Sequence, residues 1–153
     1  MGNNWKITDT LTKVFADEVP DGQGSIRLST LHRETVSCVI AYLGAADWGR
    51  YWKVSVKAPE KIETRLRRVE LVPSAYPCHK EQDDNYLRIV PGMYPDLLRD
   101  LDTEDDGADK KYLTKEVPGQ WRSLWLDVTV DAELAGGDYA IVIETETEDG
   151  EKE

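Results

Sequence analysis

The apolar residues of this chain recur with a period of two wherever the pattern is strong. Such a period places alternate side chains on opposite faces of a β-strand. The runs that show it are Val36–Tyr42, Trp52–Val56, Leu124–Val130 and Tyr139–Ile143. Each of these runs would bury one face against a core and turn the other toward solvent, as strands of antiparallel sheets do.

Turn-forming residues separate these runs: Asp21-Gly22, Pro59, Pro73, Pro91-Gly92, Pro118-Gly119 and Gly136-Gly137. Short alternating strands divided in this way predict an all-β fold, an antiparallel β-sandwich. One short helix at most is expected, over Tyr94–Leu101, where Pro95 suits a first turn and the leucines at 97, 98 and 101 would line one face. Asp100–Asp109 holds six acids in ten residues and is expected to be an exposed loop.

The chain divides into three parts on this pattern. Residues 1–10 are expected to be a lead-in, 11–147 the β-sandwich domain, and 148–153 a hairpin turn with an acidic tail. Asp149-Gly150 is typical of a two-residue hairpin turn, yet only three residues follow it, so we expect the natural polypeptide to continue. Without a return strand, Asp138–Thr147 would lie at a sheet edge, open to pairing with a second copy of the chain.

The charge of the chain excludes two classes of partner. Nineteen basic residues against thirty acidic ones give a net charge of −11. Nucleic-acid binding depends on clustered Lys and Arg, and anionic membrane surfaces attract basic segments, so neither partner is expected. The basic cluster of Arg65, Arg67 and Arg68 is expected to belong to a charged outer sheet face.

The N-terminal sequence and the cysteines bear on location. Residues 1–6 contain no apolar signal-peptide core, and no apolar run approaches the roughly 18 residues that a membrane-spanning helix needs. A cytoplasmic protein is therefore expected. Cys38 falls within an apolar strand and is expected to be buried, while a Cys38–Cys78 disulfide stays open at this point.

No constellation of residues indicates catalysis. The histidines are His32 and His79, and neither a serine nucleophile elbow nor a glycine-rich phosphate loop is present. Cys78-His79 lacks the regular ligand spacing of a zinc site. A calcium-loop pattern starting at Asp102 fails at its twelfth position, where Leu113 replaces the bidentate Glu. We therefore expect no catalytic residue, no metal and no cofactor.

The tryptophans are the remaining candidates for binding. Large aromatic side chains are mostly core or interface anchors, and Trp52 and Leu124 fall in register with core positions. Trp125 lies on the face opposite to Leu124, so it is expected to be partly exposed. Trp48 and Trp125 are therefore the candidates for stacking on the face of a sugar ring.

Several segments, taken in order, resemble a known family: Leu11–Phe15, Leu31–Ser37, Tyr86–Arg88, Pro91–Leu98, Gln120–Val130 and Ala135–Tyr139. This order is similar to the N-terminal β-sandwich domain of glycoside hydrolase family 123 and its bacterial relatives. The similarity runs from Leu11 to about Glu146, and the segment Pro91–Leu98 is its most specific part. In that family the sandwich precedes a (β/α)₈ catalytic barrel, and characterised members act on β-linked N-acetylgalactosamine.

The resemblance implies a non-catalytic accessory domain that packs against and supports a catalytic barrel absent from this chain. The catalytic Asp-Glu pair of the family lies in the barrel, so no catalytic residue is assigned here. Tyr94, Pro95, Leu97 and Leu98 form an apolar cluster and are the expected contacts with that barrel of the same parent polypeptide. The alternative function is a carbohydrate-binding module that holds a glycan weakly on exposed tryptophan.

Overall fold

The computed structural model describes residues 5–44, 51–78, 80–81, 85–105 and 110–147. Within these ranges the chain forms β-strands and no helix, which confirms the all-β prediction. The strands are β1 (Trp5–Thr8), β2 (Thr35–Leu43), β3 (Tyr51–Lys57), β4 (Ile62–Ser74), β5 (Gly92–Asp100), β6 (Asp102–Asp105), β7 (Lys110–Lys115), β8 (Trp121–Val130) and β9 (Val142–Thr147). None of the described segments provides a helix of the length and apolar character that a bilayer span requires.

The strands form two antiparallel sheets. The five-stranded sheet has the order β1-β2-β8-β4-β5, and the four-stranded sheet has the order β6-β7-β3-β9. Strand β8 lies at the centre of the larger sheet, where Ile40 of β2 and Arg68 of β4 both face Leu124 in register. Strand β1 pairs with β2 from Trp5 onward, so the sandwich includes residues from the segment expected as a lead-in.

The core fills the space between the two sheets. Its members from the larger sheet include Ile40, Leu66 and Leu124, and those from the smaller sheet include Val54 and Tyr112. These positions belong to the alternating runs of the sequence, because every second residue of a strand points to the same side. The buried hydroxyl of Tyr42 lies 2.7 Å from Thr114 Oγ1, so a polar group at one end of the core has a partner.

A second apolar cluster covers the outer face of the larger sheet. Val14 packs there against Val39 and Ala41 of β2 and Trp121 of β8. The segment that carries Val14 begins at a turn, where Asp9 Oδ1 accepts hydrogen bonds from the backbone N–H groups of residues 11 and 12. Strand β2 is therefore buried on both faces, which a simple rule of one apolar and one polar face does not predict.

The structure corrects the helix expected over Tyr94–Leu101. Residues 94–100 of that segment belong to β5, the edge strand of the larger sheet, and Leu101 lies between β5 and β6. Glu70 lies opposite Leu97 and Leu71 opposite Pro95, so Asp96 is the extra residue of a β-bulge. Proline lacks a backbone donor and is tolerated in a sheet at an edge or a bulge, and this strand offers both.

Three further expectations are corrected in part. The acidic segment Asp100–Asp109 is not all loop, because Asp102–Asp105 forms β6, paired with β7. Arg65 and Arg67 lie on the outer face of the larger sheet, whereas Arg68 alternates to the inner face and forms an ion pair with Glu70. The last strand begins at Val142, so residues 139–141 precede it without regular structure.

Among the strands of the described residues, β9 lies at the edge of the smaller sheet, as the sequence predicts for Asp138–Thr147. The outer face of this sheet is charged, with Lys53 Nζ 2.9 Å from Glu104 and Lys57 Nζ 2.9 Å from Glu144. Residues 148–153, with the expected hairpin turn, lie outside the described residues. Cys38 and Cys78 are both free, and Cys38 is buried as expected.

Candidate docking surface

The four expected interface residues all lie on β5 but differ in exposure. Leu97 is 47% exposed, Leu98 is half-buried and Pro95 is buried. Tyr94 turns its ring edge-on to Phe15, with the ring centroids 5.7 Å apart, and its hydroxyl donates to the carbonyl oxygen of Val90 at 2.5 Å. Leu97 is therefore the one member of this set that offers a large exposed apolar surface.

The connection between β4 and β5 presents a larger apolar area than β5 itself. Tyr76 is 93% exposed, Leu87 74% and Val90 56%. We call the following set the β4–β5 apolar surface: Tyr76, Tyr86, Leu87, Ile89, Val90, Met93 and Leu97. Single exposed apolar residues are ordinary in globular proteins, but a concentration of them in one connection indicates an interaction site.

Sequence reasoning missed most of this surface. Its signal is present in the sequence, since apolar residues stand at 86, 87, 89 and 90 between the turn residues Pro77 and Pro91. Their spacing matches neither the period of a half-buried strand nor that of an amphipathic helix. Because these apolar residues follow neither period, they do not form one apolar side of a strand or helix that could pack against the core.

Arg88 fixes the middle of this surface to the body of the sandwich. Its guanidinium carbon lies 3.9 Å from the centroid of the Phe15 ring, and its Nη1 lies 2.9 Å from Asp17 Oδ1. It also forms an ion pair with Glu18. Desolvation lowers the pKa of the guanidinium, but hydrogen bonds and charges from the two acids outweigh it and hold the pKa above its ordinary value.

The contact with Arg88 also changes the pKa of its acidic partner Asp17. The hydrogen bond from Arg88 holds the pKa of the Asp17 carboxyl below its usual value. The hydroxyl of Tyr94 also approaches the carbonyl oxygen of Arg88 at 3.3 Å. The exposed side chains on either side of Arg88 are therefore presented from a connection that is tied to the N-terminal segment.

The outer face of the larger sheet carries the one described candidate for sugar stacking. Trp125 is half-buried beside the second apolar cluster, which agrees with the partial exposure expected for it. Its indole N–H donates to Asp127 Oδ1 at 2.7 Å. Trp48, the other candidate, lies outside the described residues, and so does His79.

Asp127 is the centre of a hydrogen-bond network on this face. Besides Trp125, it accepts from Ser37 Oγ at 2.7 Å and from Arg67 Nη2 at 2.5 Å. Burial opposes ionisation of the carboxyl, but these three donors outweigh it, so the pKa of Asp127 lies below its ordinary value. The network joins β2, β4 and β8 side by side.

We expect Asp127→Asn to lower stability at neutral pH by roughly 1–3 kcal/mol, the usual size of hydrogen bonds to a charged group. The pKa of Asp127 is lower in the folded chain than in the unfolded chain, so the ionised carboxylate stabilises the fold. This contribution is fully present above the ordinary aspartate pKa of about 4 and is lost as the pH falls through the lower pKa of the folded state. The free energy of unfolding of the variant should therefore decrease less from neutral to acid pH than that of the unmodified chain. Urea unfolding from neutral to strongly acid pH measures both effects.

The control for this measurement is Asp21→Asn, which removes an exposed carboxyl. It should leave the free energy of unfolding and its acid dependence close to those of the unmodified chain. An Asp127→Asn variant that behaves like this control at every pH would contradict the assigned network.

No protein-family model matches the chain, and no match emerged among the curated proteins compared with it.

Proposed function

We propose that this protein is a non-catalytic accessory β-sandwich that packs, through the β4–β5 apolar surface, against the (β/α)₈ catalytic barrel of a glycoside hydrolase. The observation that carries this proposal is the exposure of Tyr76, Leu87 and Val90, at 93%, 74% and 56%, in a single connection. When a partner covers large apolar side chains, their surface is removed from water, which is favourable. A group of such side chains on one surface therefore favours binding to a partner.

The anchoring of the surface supports the same proposal. Arg88 ties the connection to Phe15 and Asp17, and Leu97 adds an exposed apolar side chain on β5. A segment that is already held in place loses less conformational entropy on binding than a free loop does. An arrangement of this kind suits a permanent contact between domains of one protein.

The identity of the neighbour rests on the sequence resemblance to the family 123 sandwich. In that family the domain next to the sandwich is the catalytic barrel, and Pro91–Leu98, the most specific segment of the resemblance, leads from the β4–β5 apolar surface into β5. The residues that carry the resemblance and the exposed residues of the β4–β5 apolar surface therefore overlap at Tyr86, Leu87, Met93 and Leu97.

Carbohydrate binding on the outer sheet face has less support. Trp125 is half-buried and its indole N–H is engaged by Asp127, so the ring offers less free surface than a flat stacking platform needs. Tyr76, Leu87 and Val90 of the β4–β5 connection are more exposed, at 93%, 74% and 56%.

The test is binding in trans to the barrel encoded with this domain, measured by isothermal titration calorimetry. We expect Leu87→Asp to weaken binding at least about tenfold, or about 1.4 kcal/mol, because a carboxylate would be buried at the contact. Leu31→Asp is the matched control, since Leu31 is 71% exposed and lies two residues before Arg33, whose backbone N–H donates to Val130. Val130 pairs with Ile62, at the end of β4 opposite to the β4–β5 connection. Equal binding by the two variants, or no heat with the unmodified domain, would overturn the proposal.

A further inference from the structure

A cavity of about 610 Å³ opens between two irregular segments and reaches the core of the sandwich. One wall is the segment that carries Ile26 and Leu28, and the other is the segment that carries Tyr139 and Ile141. The floor includes Cys38 and Val128, which are 4% and 6% exposed. The volume falls in the range of small-molecule sites, which are typically about 300–1,000 Å³ and mainly apolar in lining.

The walls have no regular strand structure to hold them together. Residues 24–31 and 134–141 lie outside the strands, although the strands that they lead into are well paired. The ion pair between Arg27 Nη2 and Asp138 Oδ1, at 2.8 Å, joins the two walls on their solvent side. Its side chains are 83% and 88% exposed, and exposed pairs of this kind contribute little to stability.

The charges around the cavity indicate what kind of molecule it can hold. Among the described lining residues, Arg27 and Asp138 carry opposite fixed charges and neutralise each other. His32 lies at the rim and is exposed to solvent. The floor and part of the walls offer apolar contact, beside the uncharged hydroxyls of Ser25, Ser29 and Thr30. None of these groups carries a charge that could pair with an ionic ligand, so an ion placed there would lose hydration without a charged partner.

The Cys38 thiol at the floor of the cavity is also uncharged. Burial raises the pKa of Cys38 to about 11, so the group stays protonated and uncharged at neutral pH. A neutral thiol behaves as a small apolar side chain. Because Cys38 is at the bottom of the cavity, its chemical accessibility also reports whether the cavity is filled.

We propose that this cavity is a binding site for an uncharged, apolar small molecule of the size of two or three fused or linked aromatic rings. The ligand enters between the wall of Ile26 and Leu28 and the wall of Tyr139 and Ile141. It covers side chains that are now 37–42% exposed at the rim, namely Ile26, Leu28 and Tyr139. The site is separate from the β4–β5 apolar surface and does not depend on the proposed accessory function.

The test uses N-phenyl-1-naphthylamine, an uncharged dye whose fluorescence rises in apolar surroundings, with the full chain. We expect saturable binding of one dye per chain. The sulfonated form of the same ring system, 8-anilinonaphthalene-1-sulfonate, should bind at least about tenfold more weakly, because its charge finds no partner in the cavity. Equal affinity for the two dyes, or fluorescence that does not saturate, would overturn the proposal.

A pair of variants locates the site. Leu28→Asp places a carboxylate at the cavity wall and should weaken binding of the uncharged dye at least about tenfold. Leu31→Asp makes the same change three residues away, outside the lining, and should leave binding unchanged. Equal effects of the two substitutions would contradict the assigned location.

The cysteine gives a readout that needs no substitution in the cavity. In a Cys78→Ser background, Cys38 is the single thiol, and its modification by a small uncharged thiol reagent should slow in proportion to the fraction of chain that holds the dye. This measurement decides the question even if Leu28→Asp does not fold. Modification at an unchanged rate with saturating dye would show that the dye binds elsewhere and would overturn the proposal.

Discussion

Gly44→Ala should destabilise the sandwich by at least about 3–4 kcal/mol, at the upper end of the range for single substitutions. A Cβ at Gly44 would lie 2.1 Å from the carbonyl oxygen of Val117 and 2.6 Å from its carbonyl carbon. Both are backbone atoms, which cannot move aside as a flexible side chain can. The contact ends β2, where Gly44 N–H donates to Gln120 and its carbonyl accepts from Gly119.

The matched control for this substitution is Gly92→Ala. A Cβ at Gly92 has no heavy atom within 4 Å, so this variant should stay within about 1 kcal/mol of the unmodified chain. Urea unfolding compares the two directly. Equal midpoints for Gly44→Ala and Gly92→Ala would mean that the end of β2 does not cross the segment before β8 as described.

Leu124→Ala should cost about 2–5 kcal/mol of folding stability, the usual loss when a buried leucine is truncated. Leu124 is 0% exposed and lies on β8, with Ile40 of β2 opposite it on one side and Arg68 of β4 on the other. The central strand has neighbours on both sides and a second sheet above it. The structure therefore has little freedom to collapse into the space left by the side chain.

Leu11→Ala makes the same chemical change at a site that is 85% exposed. It should alter the free energy of unfolding by less than about 0.5 kcal/mol, as surface substitutions usually do. A loss at Leu124 no larger than that at Leu11 would contradict the assignment of β8 as the centre of the core.

Local sequence pattern is enough to predict strands that bury one face. Strands β3 and β8 alternate as expected, and Trp52 and Leu124 both occupy the core. The pattern is less informative where both faces are covered. Val39 and Ala41 are buried by Val14, a residue far away in the sequence. Their burial depends on tertiary packing and cannot be predicted from the two-residue period of the strand.

Strand β5 shows how a local pattern can favour the wrong element. Pro95 followed by leucines at 97, 98 and 101 matches the start of an amphipathic helix. In the fold, pairing with β4 and a bulge at Asp96 give Pro95, Leu97 and Leu98 partners that a helix could not provide. Tertiary pairing therefore overrides the local preference, as is common for short segments.

The candidate sites were harder to predict than the strands. Leu97 was predicted as an interface residue, but Leu87 and Val90 lie beside Arg88, which packs on Phe15, a contact across more than seventy residues. The cavity is also non-local, because Leu28 and Tyr139 come together from distant segments. Sites of both kinds need the three-dimensional structure.

The central claim, that this sandwich supports a catalytic barrel, is tested most directly by reading the gene beyond the codon for Glu153. The account predicts an open reading frame of roughly 250 or more further residues in which strands and helices alternate, as in a (β/α)₈ barrel. A stop codon directly after Glu153, or a continuation without this alternation, would contradict it.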